Sequence, residues 1–149
     1  MTPEKGMNKA LDNSNVNLKL KLATLWAAFM FLYSYIDHFH FYMPGKMAEI
    51  QQGQVFEFDI TQGFLLTVLA SVTIPALMIF LSVALPANAN RRTNIIIAAV
   101  YIPYSLFNLA GEAWLHMLFG AVTEVVLLCL IIRYALKWPR PEPIEQYRS

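Results

Sequence analysis

The chain has 149 residues, 57% of them apolar and only 14% charged, and a formal net charge of +1. Four long apolar stretches leave no room for a separate soluble domain, and the balanced charge offers no basic-aromatic surface for nucleic acid. There is no glycine-rich phosphate loop and no serine-nucleophile elbow, and the single cysteine, Cys129, excludes a disulfide or dithiol chemistry within one chain.

Residues 1–17 are polar and read as a flexible cytoplasmic N-terminus, followed by one four-helix membrane domain over 18–138 and a disordered cytoplasmic tail over 139–149. The fold class is all-α. The first apolar stretch, Ala23–Met43, follows a Leu-Lys-Leu-Lys-Leu approach and carries Trp26 where an interfacial aromatic belongs. It is too long for a signal-peptide core and reads as an uncleaved helix ended by Pro44 and Gly45. An acidic loop runs to Asp59, with a short surface helix expected over 46–52. Asp59 and Gln62 have capping-box spacing and should start the second stretch, Phe64–Leu85, which Pro86 closes. Asn88 to Arg92 reads as a tight turn before the third stretch, Ile95–Ala110. The fourth, Leu115–Leu136, follows a turn over Gly111–Trp114 and stops before Pro139, Pro141 and Pro143. A bilayer core of about 30 Å needs about 20 helical residues, and lipid forces the backbone to bond internally, so each stretch reads as a spanning helix. Pro75 and Pro103 fall inside two of them and should bend their helices.

Ten of the eleven basic residues lie before the first stretch, between the second and third, or at and after the end of the fourth; Lys46 alone lies on the other side. That asymmetry places both termini inside. Read at helical spacing, each stretch shows a polar face: Tyr33, Asp37 and His40; Thr67, Ser71, Pro75 and Ser82; Asn94, Tyr101, Ser105, Asn108 and Glu112, with Tyr104 beside them; and His116, Gly120 and Glu124. Polar groups left in lipid cost several kcal/mol each, so the faces should meet. With the termini inside, Asp37 lies ~9 Å and Glu124 ~13 Å below the outer boundary at 1.5 Å per residue. The expected result is an outward-opening polar cavity over an apolar cytoplasmic floor.

Asp37 and Glu124 are the candidate ligand- or proton-binding carboxyls, with Tyr33, Tyr101, Ser105, Asn108, His40, His116 and Glu112 around them. Each has a purely structural alternative: Glu124 as a carboxyl bonded to Tyr101 or Ser105, Asp37 as the partner of a histidine, the tyrosines as packing. His38 and His40 are ~200° apart on a helix, so they cannot both face inward, and His38 reads as interfacial. Asp37 with His40, and Glu112 with His116, have same-face spacing that suits a metal, but no third ligand accompanies them and no metal is assigned. No cofactor is expected.

Several residues recur in an order that resembles a known family: Lys21 to Trp26, Tyr35 and Asp37, Met43 to Gly45, Ile60 to Gln62, Pro75 and Met78, Leu81-Ser82, Asn90-Arg91 with Asn94-Ile95, and Glu124. They resemble an uncharacterised family (a domain of unknown function) of small four-helix bacterial and archaeal integral membrane proteins. The resemblance implies the four-helix fold and a multi-pass protein of the prokaryotic cytoplasmic (inner) membrane, and transfers no activity. A fainter fold-level likeness is to DoxX-like proteins. The leading expectation is a protein that binds a small or amphiphilic ligand in its outer-half cavity, with the lipid bilayer as its surroundings and homo-oligomerisation open. The alternatives are a proton-coupled small-molecule transporter acting as an oligomer, a membrane enzyme on a lipid or quinone, and an accessory subunit whose polar faces serve packing. The balance of features leans away from an enzyme.

Overall fold

The computed structural model describes residues 16–55, 57–110 and 114–138. The expectations for the N-terminal segment before residue 16, for the tail, and for Gly111, Glu112 and Ala113 lie outside them. The described chain is mostly helical, with four long helices, one short one and a small hairpin. Helix α1 spans Leu18–His40, α2 Lys46–Gln51, α3 Gln62–Ala84, α4 Ala87–Phe107 and α5 Leu115–Leu136. The short helix expected after Gly45 is α2, whose Gly45 adopts the left-handed φ of 87° that glycine takes without strain. The two-residue strands β1 (Gln54–Val55) and β2 (Phe58–Asp59) pair antiparallel and have no counterpart in the sequence reading.

Local chemistry sets the helix ends. Asn17 opens α1 by accepting the backbone N–H of Lys19 at 2.9 Å. At α3 the cap is Thr61, whose hydroxyl accepts from Phe64 N at 3.1 Å, and not the capping box expected from Asp59. The hydroxyl adjoining the helix meets its orphan N–H directly, while Asp59 is held in β2. The turn expected over Asn88 to Arg92 is instead the first part of α4, which begins immediately after Pro86. Proline, with its fixed φ, is well suited to the start of a helix, so the connection between α3 and α4 shrinks to Leu85 and Pro86.

The long helices run antiparallel to their chain neighbours. The Lys19 ammonium, at the start of α1, donates to the carbonyls of Val83 (3.0 Å) and Leu85 (2.8 Å), the last acceptors of α3. A cation there satisfies carbonyls with no helical partner and opposes the negative end of the helix dipole. Lys21 stands 5.9 Å over the ring of Tyr134 near the end of α5. Helix α1 packs on both α3 and α5, and α5 packs on α4, while α3 touches α4 more sparsely. The end holding Lys19, Arg91 and Arg133 is therefore basic, and the opposite end carries α2 and the hairpin.

The core is a column of large side chains. Leu22, Trp26 and Phe29 of α1 meet Met78 of α3 and Leu128 and Ile131 of α5, each at most 1% exposed. Aromatic edges carry it upward: Trp26 meets Phe29 at 5.9 Å, and Phe29 meets Tyr101 at 6.1 Å, both T-shaped. Trp26 is fully buried, which corrects the interfacial reading. Its indole N–H has a partner inside the protein, so it does not need water at a boundary. By contrast, the outward faces are apolar and uncovered, as at Leu66, Phe80 and Phe119. Helices α3 and α5, with mean hydropathies of 2.4 and 2.3, are long and apolar enough to cross a membrane. Helices α1 and α4, of 23 and 21 residues, are as long but more polar.

Candidate functional site

Two polar clusters lie along the core column, and they differ in how fully their hydrogen bonds are met. The first, at the basic end, joins three helices. Asn94 Oδ1 accepts the Trp26 indole N–H at 2.7 Å and the Ser82 hydroxyl at 3.2 Å, and Asn94 Nδ2 donates to Asn90 Oδ1 at 2.6 Å and to its carbonyl at 2.9 Å. Asn90 Nδ2 donates to the carbonyl of Ser82 at 2.5 Å. Pro86, four residues on, has no N–H to give that carbonyl, so Asn90 supplies what the helix lacks. All three polar side chains are fully buried. Next to the apolar layers read from the sequence, this end of the bundle holds a closed and satisfied polar lock.

The second cluster lies toward the hairpin end. Tyr101 donates its hydroxyl to the carbonyl of Ser71, which Pro75 leaves without its helical donor, the same substitution seen at Ser82. The Ser71 hydroxyl is 3.1 Å from that of Tyr104 and gives its proton to Val68 O at 2.7 Å, and Tyr104 is 3.4 Å from the Tyr33 hydroxyl. Beyond this chain stands Glu124, 3% exposed and with no cationic partner among the described residues. Its carboxyl lies beside the Ser105 hydroxyl and within electrostatic reach of Asp37 and Tyr33. Ser105 is 1% exposed, and apart from that carboxyl its oxygen has no hydrogen-bond partner among the described residues. Asp37 is at the surface. Four of the expected residues, Tyr33, Asp37, Ser105 and Glu124, thus converge, with Tyr101 bonded one step away.

The remaining candidates separate from them. Asn108 is exposed at the C-terminal cap of α4, where its own backbone N–H bonds back to Tyr104. Thr67 of the second stripe is exposed and returns its hydroxyl to Gly63 O at 2.9 Å. His38 is exposed and 3.4 Å from the Tyr42 hydroxyl. His116 lies in the first turn of α5, against Trp114, with Nε2 buried and unpartnered among the described residues. His40 is half-buried at the end of α1. Glu112 lies outside the described residues. Among those residues no three acidic, histidine or cysteine side chains come together as a metal would need.

Above Glu124, α1 and α5 approach closely. Ile36 seats its side chain on Gly120, where a Cβ would fall 2.3 Å from Ile36 Cδ1 and 2.7 Å from Cγ1. Only a residue without a side chain admits that contact. An open groove lies beyond it at the hairpin end, lined by Phe39, Tyr42, Met43, Trp114 and His116. The groove stops short of Asp37 and Glu124. Sequence reasoning missed Ile36 and the groove, because neither has a polar signal. Ser71 and Ser82 were detectable as the carbonyls four residues before prolines.

A family model matches residues 10–144, and the chain belongs to that family, described as a family of unknown function, DUF6326. This agrees with the uncharacterised family that the sequence resembles; the likeness to DoxX-like proteins is not shown. Neither the curated proteins nor the solved structures contain a match.

Proposed function

We propose that this family member crosses the prokaryotic cytoplasmic membrane with all four long helices, both termini inside. It binds a small amphiphilic molecule with a cationic or hydrogen-bond-donating head between Asp37 and Glu124. The observation that carries the reading is the buried Glu124 carboxyl, which has the Ser105 hydroxyl beside it and no cationic side chain paired with it among the described residues. Buried polar groups are nearly always satisfied, and the lock at the basic end follows that rule. A buried carboxyl with a lone hydroxyl beside it and no cation in the same molecule is what a site awaiting a cationic head looks like. Two carboxyls and no basic side chain in the cluster select a cation over an anion.

The membrane reading is supported by exposure. Only 11% of the apolar window of α3 and 33% of that of α5 is buried within the protein, so neither is the core helix of a soluble fold. Helix α4 turns Asn90, Asn94, Tyr101 and Ser105 inward, which lowers its hydropathy without exposing those groups to lipid. The basic end, with Lys19, Lys21, Arg91, Arg92, Arg133 and Lys137, suits the inner face. The polar lock closes that end, which favours binding over a path through the single chain.

Thermal unfolding in detergent, with decyltrimethylammonium below its micelle concentration, tests the reading. At ten times its Kd a ligand stabilises by about 1.4 kcal/mol, a rise of a few degrees. Glu124→Gln should keep the unliganded midpoint and lose the rise, and decyl sulfate should give none. An equal rise in Glu124→Gln, or from the sulfate, would refute it.

A further inference from the structure

We propose that the aromatic groove at the hairpin end is the entrance for an organic ammonium ion, and that Ile36 seated on Gly120 is the gate between that groove and Glu124. The inference rests on the reading of Glu124 as the binding carboxyl and adds the route, the gate and the ligand class.

The geometry runs along one face of α5. His116, Gly120 and Glu124 are spaced four residues apart, so they stack on that face, with Glu124 ~12 Å along the axis from His116. His116 lines the groove, and Glu124 is a buried carboxyl with no cationic partner among the described residues. Between them stands Gly120, and what covers it is the Ile36 side chain. The groove's His116 thus stands one helical turn from the Ile36–Gly120 contact. Ile36 has two rotatable side-chain bonds and a terminal methyl, so moving Cδ1 off a glycine needs no backbone shift and meets no Cβ on the α5 side.

The lining selects the ligand class. Phe39, Tyr42 and Trp114 present rings, Met43 a polarizable thioether, and the groove carries no basic side chain apart from His116. Rings attract ammonium groups through their negative faces, most strongly when desolvated. Asp37, near the same end of α1, and Glu124 beyond the gate continue the attraction inward. A quaternary or alkylated ammonium with an apolar tail fits rings first and carboxyls next. At the opposite end a groove along α5 is lined by Arg133 and Lys137, which repel a cation, and the Trp26, Ser82, Asn90 and Asn94 lock closes the bundle beside it.

Ser105→Cys in a Cys129→Ser background places a thiol beside Glu124 and leaves the carboxyl intact. Purified protein is treated with a cationic, trimethylammonium-bearing methanethiosulfonate and with its anionic sulfonate counterpart. Opening a local barrier raises the labelling rate of a buried thiol, so Ile36→Val, which removes only Cδ1, should speed the cationic reagent by about threefold and Ile36→Ala by about tenfold or more. Acidic walls concentrate cations, so the cationic reagent should react about tenfold faster than the anionic one. Trp114→Ala should slow the cationic reagent alone. Unchanged rates in both Ile36 variants would overturn the gate, and equal rates for the two reagents would overturn the ligand class. If decyltrimethylammonium still stabilised wild type and not Glu124→Gln, the binding site would stand and the route would lie elsewhere, for instance sideways past the sparse α3–α4 contact. Loss of that stabilisation difference would refute the site itself.

Discussion

Asn94→Ala is the most direct test of the lock at the basic end. The substitution deletes one acceptor and one amide donor that together make four hydrogen bonds at 2.6–3.2 Å. The Ser82 hydroxyl can turn to another acceptor. The indole N–H of Trp26 cannot turn, and Trp26 is fully buried, so it is left orphaned. Asn90 Oδ1 also loses its donor. At about 1–3 kcal/mol for each orphaned buried group, and allowing for partial rescue of one, the expected loss is about 2–4 kcal/mol. Hydrogen bonds between membrane helices often contribute less, near 0.6 kcal/mol, because the unfolded chain in lipid finds other partners. A fixed, fully enclosed indole has few such options, so the larger figure should hold. The assay is reversible unfolding in mixed micelles followed by far-UV circular dichroism, which does not depend on the tryptophan signal. Trp26→Phe removes the donor at its source, so the double variant should lose about 1–2 kcal/mol less than the sum of the single ones. An Asn94→Ala protein within about 0.5 kcal/mol of wild type, or an additive cycle, would show that the lock is not a stabilising unit.

Lys19→Met should fray the end of α3 and lower stability by about 1–2 kcal/mol, since two carbonyls lose a charged donor, and hydrogen exchange at 82–85 should rise. Gly120→Leu should prevent folding, while Gly120→Ala should lose about 1–3 kcal/mol by overpacking and be rescued by Ile36→Ala, read by thermal midpoint. In a Cys129→Ser background, a cysteine at Glu57 should label in intact cells and one at Arg92 only after permeabilisation; the opposite pattern would invert the orientation. Asn90 is unsuitable for that assay because it is buried.

The four long helices were legible because apolar runs broken by proline and glycine leave little choice of boundary. The convergence of Tyr33, Asp37, Ser105 and Glu124 followed from helical spacing together with the cost of polar groups on an apolar surface. What failed was local. Asn90 and Arg91 look like turn residues, yet Pro86 had already started the helix, and a neighbour's orphaned carbonyl gave Asn90 an interior partner. Trp26 near a basic segment looks interfacial, and only the position of Asn94 on another helix turns it inward. Position relative to the boundary was a weaker guide than the search of each buried donor for an acceptor.

The two proline-released carbonyls also act as a ruler. Ser71 and Ser82 are 82 − 71 = 11 residues apart on α3, and their donors Tyr101 and Asn90 are 101 − 90 = 11 apart on α4. Eleven residues make three turns with about 20° to spare, so each pair lies on one face, about 16 Å apart. Matching intervals on antiparallel helices define a single alignment. A slip of one turn either way would break both bonds together, leaving two carbonyls bare and two donors stranded. Apolar surfaces slide over one another at little cost, and the α3–α4 contact is sparse. The longitudinal position of α3 is thus encoded by gaps in its own hydrogen bonding, and replacing Pro75 or Pro86 would erase a mark on that scale as well as straighten a helix.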